Sequence, residues 1–279
     1  MTENAPITSG AFGEFTVEGY SRAAVQSYWR VPEMKVGFDL GAQPWSFMGT
    51  PTWLVTHTHL DHIAALQVYV ARRRMMKMEP PVIYLPEPAV DPVFRLLRMY
   101  SRLDRGRLPC ELMPARPGDE IELSRELVIT AHQMRHTVPA LGYLVWERRK
   151  KLKAQYRDLS GTEIRDLKFQ GVEITEERRF PRVAYTGDTA PAGLDENPDF
   201  YRADVLIMEM TFVARRHRPE KIHKLGHIHL DDVIARRDRF ENHHILACHF
   251  STRYHDDQVR RIVEKRLPDM LGGKLKLWL

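Results

Sequence analysis

Three histidines and an aspartate crowd six positions: His57, His59, Asp61 and His62, within PTWLVTHTHLDHIAALQVYV at 51–70. Imidazole and carboxylate together suit zinc, manganese or iron rather than calcium, which takes oxygen ligands. His57 and His59 alternate, so in extended backbone both side chains point the same way. Asp61 and His62 fall where an apolar strand-like run turns into an apolar helix-like run, so they can face a second position. The competing reading is a chance cluster of solvated loop histidines. Four such groups at one strand-to-helix junction argue against it. A centre for two cations needs further ligands, from the ends of other strands. His132 and His136 in QMRHTVPALGY, Asp188 in AYTGDTA and His249 in LACHFSTRY are the candidates. Asp188 has two oxygens and can bridge two cations. Each alone is more ordinarily structural; together they form a set.

The elements that must position these groups follow from hydrophobic periodicity. GEFTVEGYS and MKVGFDLG read as strands, TWLVTH as a short strand and HIAALQVYVARRRMM as a helix. PVIYLP and DPVFRLLRMYSRL give another strand and helix, with Pro92 in the first turn. Residues 110–146 read as short strands broken by turns. RVAYTGDT, DVLIMEMTF and HHILACHF are buried strands by composition; DDVIARRDRF and HDDQVRRIVEKRL are helices; KLKLWL closes as a strand. No linker, low-complexity tract or repeat interrupts the chain. A single domain over 1–279, of layered sheets with helices outside, is the expectation. One segment, about 147–181, stands apart as a long, richly charged insertion between two strands.

Composition bounds the class. The chain has 279 residues, 43% hydrophobic and 28% charged, as in ordinary globular proteins. No apolar run approaches the roughly 20 residues of a membrane span. No secretory pattern is read at the start of the chain, and the two cysteines, Cys110 and Cys248, make no disulfide framework. A reducing, cytoplasmic location is expected. The formal charge is +5, which fits a polyanionic partner and a plain soluble surface equally well. Its location says more. RRKKLKAQYR at 148–157 holds six basic side chains and no acidic one: Arg148, Arg149, Lys150, Lys151, Lys153 and Arg157. Such a run can neutralise phosphates, and Tyr156 can stack on a base. The alternative is a solvated charged loop.

The run from His57 to His62, followed by His136, TGDT and His249, resembles the five motifs of the metallo-β-lactamase fold. That resemblance implies an α/β protein, a four-layer αββα sandwich with two divalent metals at one edge of its sheets. One metal would take His57, His59 and His136, the other Asp61, His62 and His249, with Asp188 bridging. His132 has no counterpart and is read as structural, as is Cys248. HFSTRY at 249–254 resembles the closing motif of the ribonuclease Z family, endonucleases that remove 3′ trailers from tRNA precursors. Glu209 in LIMEMTF and His227 in GHIHLDDV resemble that family's paired glutamate and histidine. KLKAQYRDLSGTEIRDLKFQGVEIT at 151–175 resembles the insertion of the short plant-type form.

The resemblance implies zinc as cofactor, with manganese as the alternative, a tRNA precursor as partner, and a homodimer in which the inserted arm grips the tRNA. It implies roles as well. Asp61 would be metal ligand and general base. His227 would protonate the leaving 3′ oxygen, with Glu209 holding its tautomer. Arg253 would hold a phosphate oxygen, and Ser251 or Thr252 would add hydrogen bonds. Asp39 would bond a ligand histidine from behind. His229 is read as a helix-cap neighbour and His223 as a loop residue. The chain departs from the common bacterial form: a glycine-rich opening loop is missing, and His-Glu-Ala-Thr is Met208-Glu209-Met210-Thr211. Two other readings stand beside this one, a small-molecule phosphodiesterase on the same scaffold and a non-catalytic RNA-binding relative.

Overall fold

A computed structural model describes residues 5–215 and 218–279. Seven strands form the first sheet: β1 (Thr8–Phe12), β2 (Phe15–Arg22), β3 (Gln26–Val31), β4 (Val36–Phe38), β5 (Thr52–Leu54), β6 (Val82–Pro86) and β7 (Glu111–Ala115). They lie side by side in chain order, antiparallel up to β4 and parallel beyond it. The second sheet holds β8 (Glu120–Glu122), β9 (Leu127–Gln133), β10 (Leu141–Leu152), β11 (Thr175–Tyr185), β12 (Val205–Glu209), β13 (His244–Cys248) and β14 (Leu275–Leu277). It too follows chain order, antiparallel up to β11 and parallel after it.

The period-two alternation of strands builds the layers. Val36, Phe38 and Leu54 of the first sheet pack against Tyr143, Val145, Val183, Tyr185, Val205, Ile207 and Leu246 of the second. Their neighbours Leu144, Ala184, Leu206 and Ile245 turn the other way. On that face lie α5 (Pro191–Asp195), α7 (Leu230–Ala235) and α8 (Asp256–Arg266). On the outer face of the first sheet lie α1 (Leu60–Ile63), α2 (Leu66–Met75) and α3 (Val90–Leu103), around Trp53, Ile83, Tyr69 and Leu97. The four-layer αββα sandwich is therefore as expected.

Local differences have physical causes. The helix expected over 62–76 breaks at Ala64 and Ala65. Leu40 donates its amide to the His62 carbonyl at 2.6 Å and accepts the Ala65 amide at 2.8 Å, so a neighbouring loop takes bonds that would continue the helix. β3 is an added strand. Its sequence, QSYWRV, is buried at four of six positions, so alternation does not betray it.

The insertion is a hairpin. β10 pairs with β9 only as far as Glu147, and beyond that with β11 alone, from Arg148↔Arg179 to Leu152↔Thr175. At the tip sits α4 (Gly161–Phe169), begun by a Ser160–Glu163 capping box and without a buried residue. The basic run at 148–157 is free of acid only along the chain. Register sets Glu177 opposite Lys150 and Glu176 opposite Lys151. Arg148 is tied to Glu122 at 2.5 Å and Arg149 to Glu147. Lys150 and Lys151 remain exposed, and Tyr156 is half-buried in a 3₁₀ turn.

Candidate metal centre

The candidate ligands gather at the ends of strands. The chain leaves β4 at Asp39, β5 at Thr56 and His57, β11 at Asp188 and β13 at His249, while His136 sits in the β9–β10 connection. Open α/β sheets bind ligands at the carboxyl ends of their strands, because there the backbone turns out and presents side chains. Three of these turns use left-handed backbone: Asp39 (φ 56°), Gly187 (φ 57°) and His249 (φ 60°). Only glycine fits the second. A Cβ at Gly187 would come within 2.6 Å of the Thr56 Cβ. Left-handed conformations at non-glycine residues cost energy and persist where surrounding bonds enforce them.

Two groups form. His57, His59 and His136 place ligand atoms within 4.8 Å of one another, and so do Asp61, His62 and His249. Asp188 lies between them. Its Oδ2 is 3.8 Å from His57 Nε2, and its Oδ1 is 3.5 Å from His62 Nε2 and 3.3 Å from His249 Nε2. Asp61 Oδ2 is 3.7 Å from His62 Nε2 and 3.5 Å from His249 Nε2. His136 Nε2 is 3.0 Å from His59 Nδ1. Four ligands about 2.1 Å from a tetrahedral cation stand about 3.4 Å apart, and these spacings bracket that value. His57 Nε2 and Asp188 Oδ1 are buried without a hydrogen-bond partner among the described residues. Buried polar atoms seldom stay orphaned, so the residues fit cations.

The far sides of four of the five imidazoles are held. His62 Nδ1–H donates to Asp39 Oδ2 at 2.7 Å. His57 Nδ1 is 3.0 Å from the Thr56 hydroxyl, which donates to Asp39. His136 Nδ1–H donates to the Gly226 carbonyl at 3.0 Å, and His249 Nδ1 is 3.1 Å from Thr211 Oγ1. Each bond leaves Nε2 facing the centre, as metal-binding imidazoles require. Burial would lower the His62 pKa, but Asp188 and Asp39 raise it well above the ordinary value. The same negative surroundings favour a cation at that nitrogen. Burial lowers His57, reinforced by His62, and burial lowers His136. Asp61 loses some stability as an anion to burial, yet the His249 hydrogen bond and the His62 and His249 charges hold it at about 2. Its Oδ2 also accepts the Ala24 amide at 2.8 Å.

Glu209 and His227 adjoin the centre. Glu209 is buried and accepts from Thr189 N (2.7 Å), Thr211 Oγ1 (2.5 Å), Ile228 N (3.2 Å) and His227 Nδ1 (3.1 Å). Burial alone would lower His227, but the Glu209 charge and hydrogen bond raise it to about 9. The His227 ring lies 5.3 Å from that of His136 and 5.8 Å from that of His249.

The expected residues away from the centre also have definite places. His132 bonds Thr130 and Asn197 and packs on Phe200, remote from the cluster. Cys248 is buried in β13. His229 caps α7, and His223, on α6 (Pro219–Lys224), pairs with Asp232 at 3.0 Å rather than standing as a solvated loop residue. Ser251 is buried, with its amide on the Thr211 carbonyl, while Thr252 and Arg253 are exposed on the loop after His249. Thr211, Thr56, Tyr185 and Gly226 carry the ligand orientation and have no signal of their own in the sequence. Thr211 alone among them falls in a stretch that the resemblance covers, Met208-Glu209-Met210-Thr211.

Three comparisons place the chain among known proteins. Residues 51–250 match the Beta-lactamase superfamily domain. The chain is 35% identical over 263 residues to a tRNase Z of Arabidopsis thaliana, covering 94% of each protein. It is 36% identical over 253 residues to a chloroplastic tRNase Z of the same plant, covering 90% of this chain and 72% of that one. Among solved structures it is similar in fold to the short form of human tRNase Z, with a TM-score of 0.53 and 16% identity, covering 88% of this chain and 91% of that chain.

Thr211 ties His249 to Glu209, so its loss is expected at the metal before anything else. Thr211→Val should weaken binding of a divalent cation by roughly 10- to 100-fold, read by calorimetric titration of metal-free protein. Thr211→Ser, which keeps the hydroxyl, should bind like the parent. Equal affinities in all three proteins would remove Thr211 from the role.

Proposed function

The chain belongs to the tRNase Z family of the beta-lactamase superfamily, and from that membership we propose that it is a metal-dependent endoribonuclease that removes 3′ trailers from tRNA precursors. The observation that carries the reading is the Glu209–His227 pair set beside two ligand groups sharing Asp188. Two divalent cations, zinc or else manganese, held by His57, His59 and His136 and by Asp61, His62 and His249, would supply Lewis acidity at the scissile phosphate and lower the pKa of the attacking water. Asp61, pinned by the Ala24 amide, orients that water and accepts its proton. His227 carries the proton for the leaving 3′ oxygen, and Glu209 fixes its tautomer. Arg253, Ser251 and Thr252, on the loop that follows His249, hold the phosphate in this reading.

The hairpin argues for a large substrate. β11 begins at the arm and ends beside Asp188, so its 11 residues separate the two by about 33 Å at roughly 3.3 Å per residue. A small phosphodiester cannot touch both. About one helical turn of an A-form RNA duplex covers the distance. In this reading Lys150, Lys151, Lys153 and Tyr156 of the arm take the RNA, and Arg148 and Arg149, already ion-paired, brace its base.

The homodimer belongs to the same reading. α1 and α3 leave Leu60, Leu96, Met99 and Leu103 exposed next to a groove of about 390 Å³ lined by Thr58, Leu60 and Pro139. A second copy covering this face would sit within reach of the metal centre. Among the described residues no helix is long and apolar enough to cross a membrane. Two unpaired cysteines suit a reducing compartment, and cytoplasmic location is proposed on that ground.

Asp61→Ala should lower cleavage of an end-labelled tRNA precursor about 10³-fold while RNA binding persists. His227→Ala should slow it about 10²-fold with metal content unchanged; an unaltered rate there would end its assigned role. Joining Arg149 to Arg178 through an Asn-Gly turn, in place of 150–177, should cut precursor affinity at least about tenfold and spare hydrolysis of bis(p-nitrophenyl) phosphate. Equal loss on both substrates would make the hairpin part of the catalytic core. Leu96→Glu with Met99→Glu should convert a dimer to a monomer by light scattering, and a parent protein already monomeric would refute the interface.

A further inference from the structure

A second basic surface lies at the catalytic end of the body. Between Thr211 and His227 the chain carries Arg215, Arg216, Arg218, Lys221 and Lys224 against a single carboxylate, Glu220. Arg216 and His217 fall outside the described residues. Arg215, Arg218, Lys221 and Lys224 are all exposed. Arg215 also lines a cavity of about 530 Å³, with Ile234 of α7 and Ile262, Lys265 and Arg266 of α8.

The charge in this cavity is incompletely balanced. Asp231 lies 3.9 Å from Arg215 and pairs with Arg266, and it is the one carboxylate paired with the three cations among the described residues. Three positive charges on one negative leave two. Arg266 Nη1 is buried without a hydrogen-bond partner among the described residues. Burial pulls the Arg266 guanidinium below its ordinary pKa, and Arg215 adds to the effect. Guanidinium and ammonium groups gathered on an apolar floor, with donors to spare, match a phosphate oxygen.

Position relates the cavity to the reaction. Arg215 follows Thr211 by four residues, at most about 14 Å of extended chain. The intervening loop is tied to the segment that bears His227. Phe212 donates its amide to the Ile228 carbonyl at 3.2 Å and accepts the Leu230 amide at 2.8 Å. His229 Nε2 lies 3.2 Å from the Ala214 carbonyl. A few nucleotides of single strand span from the metal centre to the cavity.

We propose that this surface is a phosphate-binding site for the RNA backbone next to the scissile bond, in which Arg215 and Lys265 receive phosphates of the flanking nucleotides. The proposal rests on RNA being the substrate. It adds a contact near the cut to the distant contact made by the hairpin.

The test is a double variant, Arg215→Ala with Lys265→Ala. Both side chains are exposed, that of Arg215 by 76%, so the fold does not depend on them. Arg266 is left alone because its pair with Asp231 joins α8 to α7. Binding of a fluorescent tRNA precursor is measured by anisotropy from about 50 to about 200 mM salt, in an Asp61→Ala background that prevents cleavage. Dissociation constants should rise about tenfold, and the slope of log K against log salt should fall by about 1.4 to 1.8, for two lost phosphate contacts. In the chain with Asp61 intact, bis(p-nitrophenyl) phosphate hydrolysis should stay at the parent rate. An unchanged affinity and slope would overturn the site, as would an equal loss on the small substrate. A parent that binds the precursor without cutting it would sink the proposed activity while leaving the slope to decide this site. A parent that binds no RNA would sink both.

Discussion

A carboxylate sealed from water must be met by donors, and Asp39 is met by four. The Thr56 amide and hydroxyl, His62 Nδ1 and the Tyr185 hydroxyl all reach it. These donors come from the β5 loop, from α1 and from β11, so both sheets converge on one side chain. Docking of the sheets and aim of the ligands are therefore one event. His62 cannot turn without unpairing a buried charge, and removing one partner of such a charge costs several kcal/mol. The left-handed backbone at Asp39 is the local strain that this network sustains. Glu209 repeats the device on the other side of the centre. It too is buried and takes four donors, among them His227 and the Thr211 that braces His249. Two dry carboxylates thus orient, directly or through a threonine, four of the imidazoles at the site.

That logic explains what can be read from sequence. His57, His59, Asp61 and His62 are legible because four ligands stand within six residues. His136, Asp188 and His249 lie far apart in the chain, and only the resemblance to a known pattern of motifs joins them. The convergence of Asp188 and His249 is a property of strand order, since β11, β12 and β13 run parallel and release their next residues at one edge. The residues that orient the ligands are harder to see. Thr56, Tyr185 and Thr211 are common polar or amphipathic types, and nothing in their spacing marks them. Thr56 also dictates the glycine of TGDT, because its side chain fills the space where a Cβ would stand. A pairwise steric demand of that kind has no linear signature.

Charge shows the same limit. The run at 148–157 contains no acid, yet the hairpin register brings Glu176 and Glu177 across from Lys151 and Lys150. Linear counting overstates its potential. The stretch at 215–224 is less conspicuous because glutamate, proline and histidine interrupt it, yet folding sets its Arg215 with Lys265 and Arg266 of α8 around one cavity. Net charge of a segment is a poor guide to field; what matters is which carboxylates folding places within reach.

A metal centre of this kind attacks phosphodiesters with little regard for what they join. Discrimination has to come from binding energy expended away from the reacting atoms. The strand pair that ends at the centre also carries the hairpin, with about 33 Å between the two. In the proposed reading, this two-stranded spacer converts an electrostatic contact at its tip into a length requirement at its base. A ligand too short to span it gains nothing from the tip, and one of the right length pays its orientational entropy there before chemistry begins. Distance alone leaves the register of the cut loose, since a duplex held only at its far end can pivot. A second fixed point near the metals removes that freedom. In the proposed reading, the surface beside the centre both adds to how tightly the RNA is held and limits where the bond breaks.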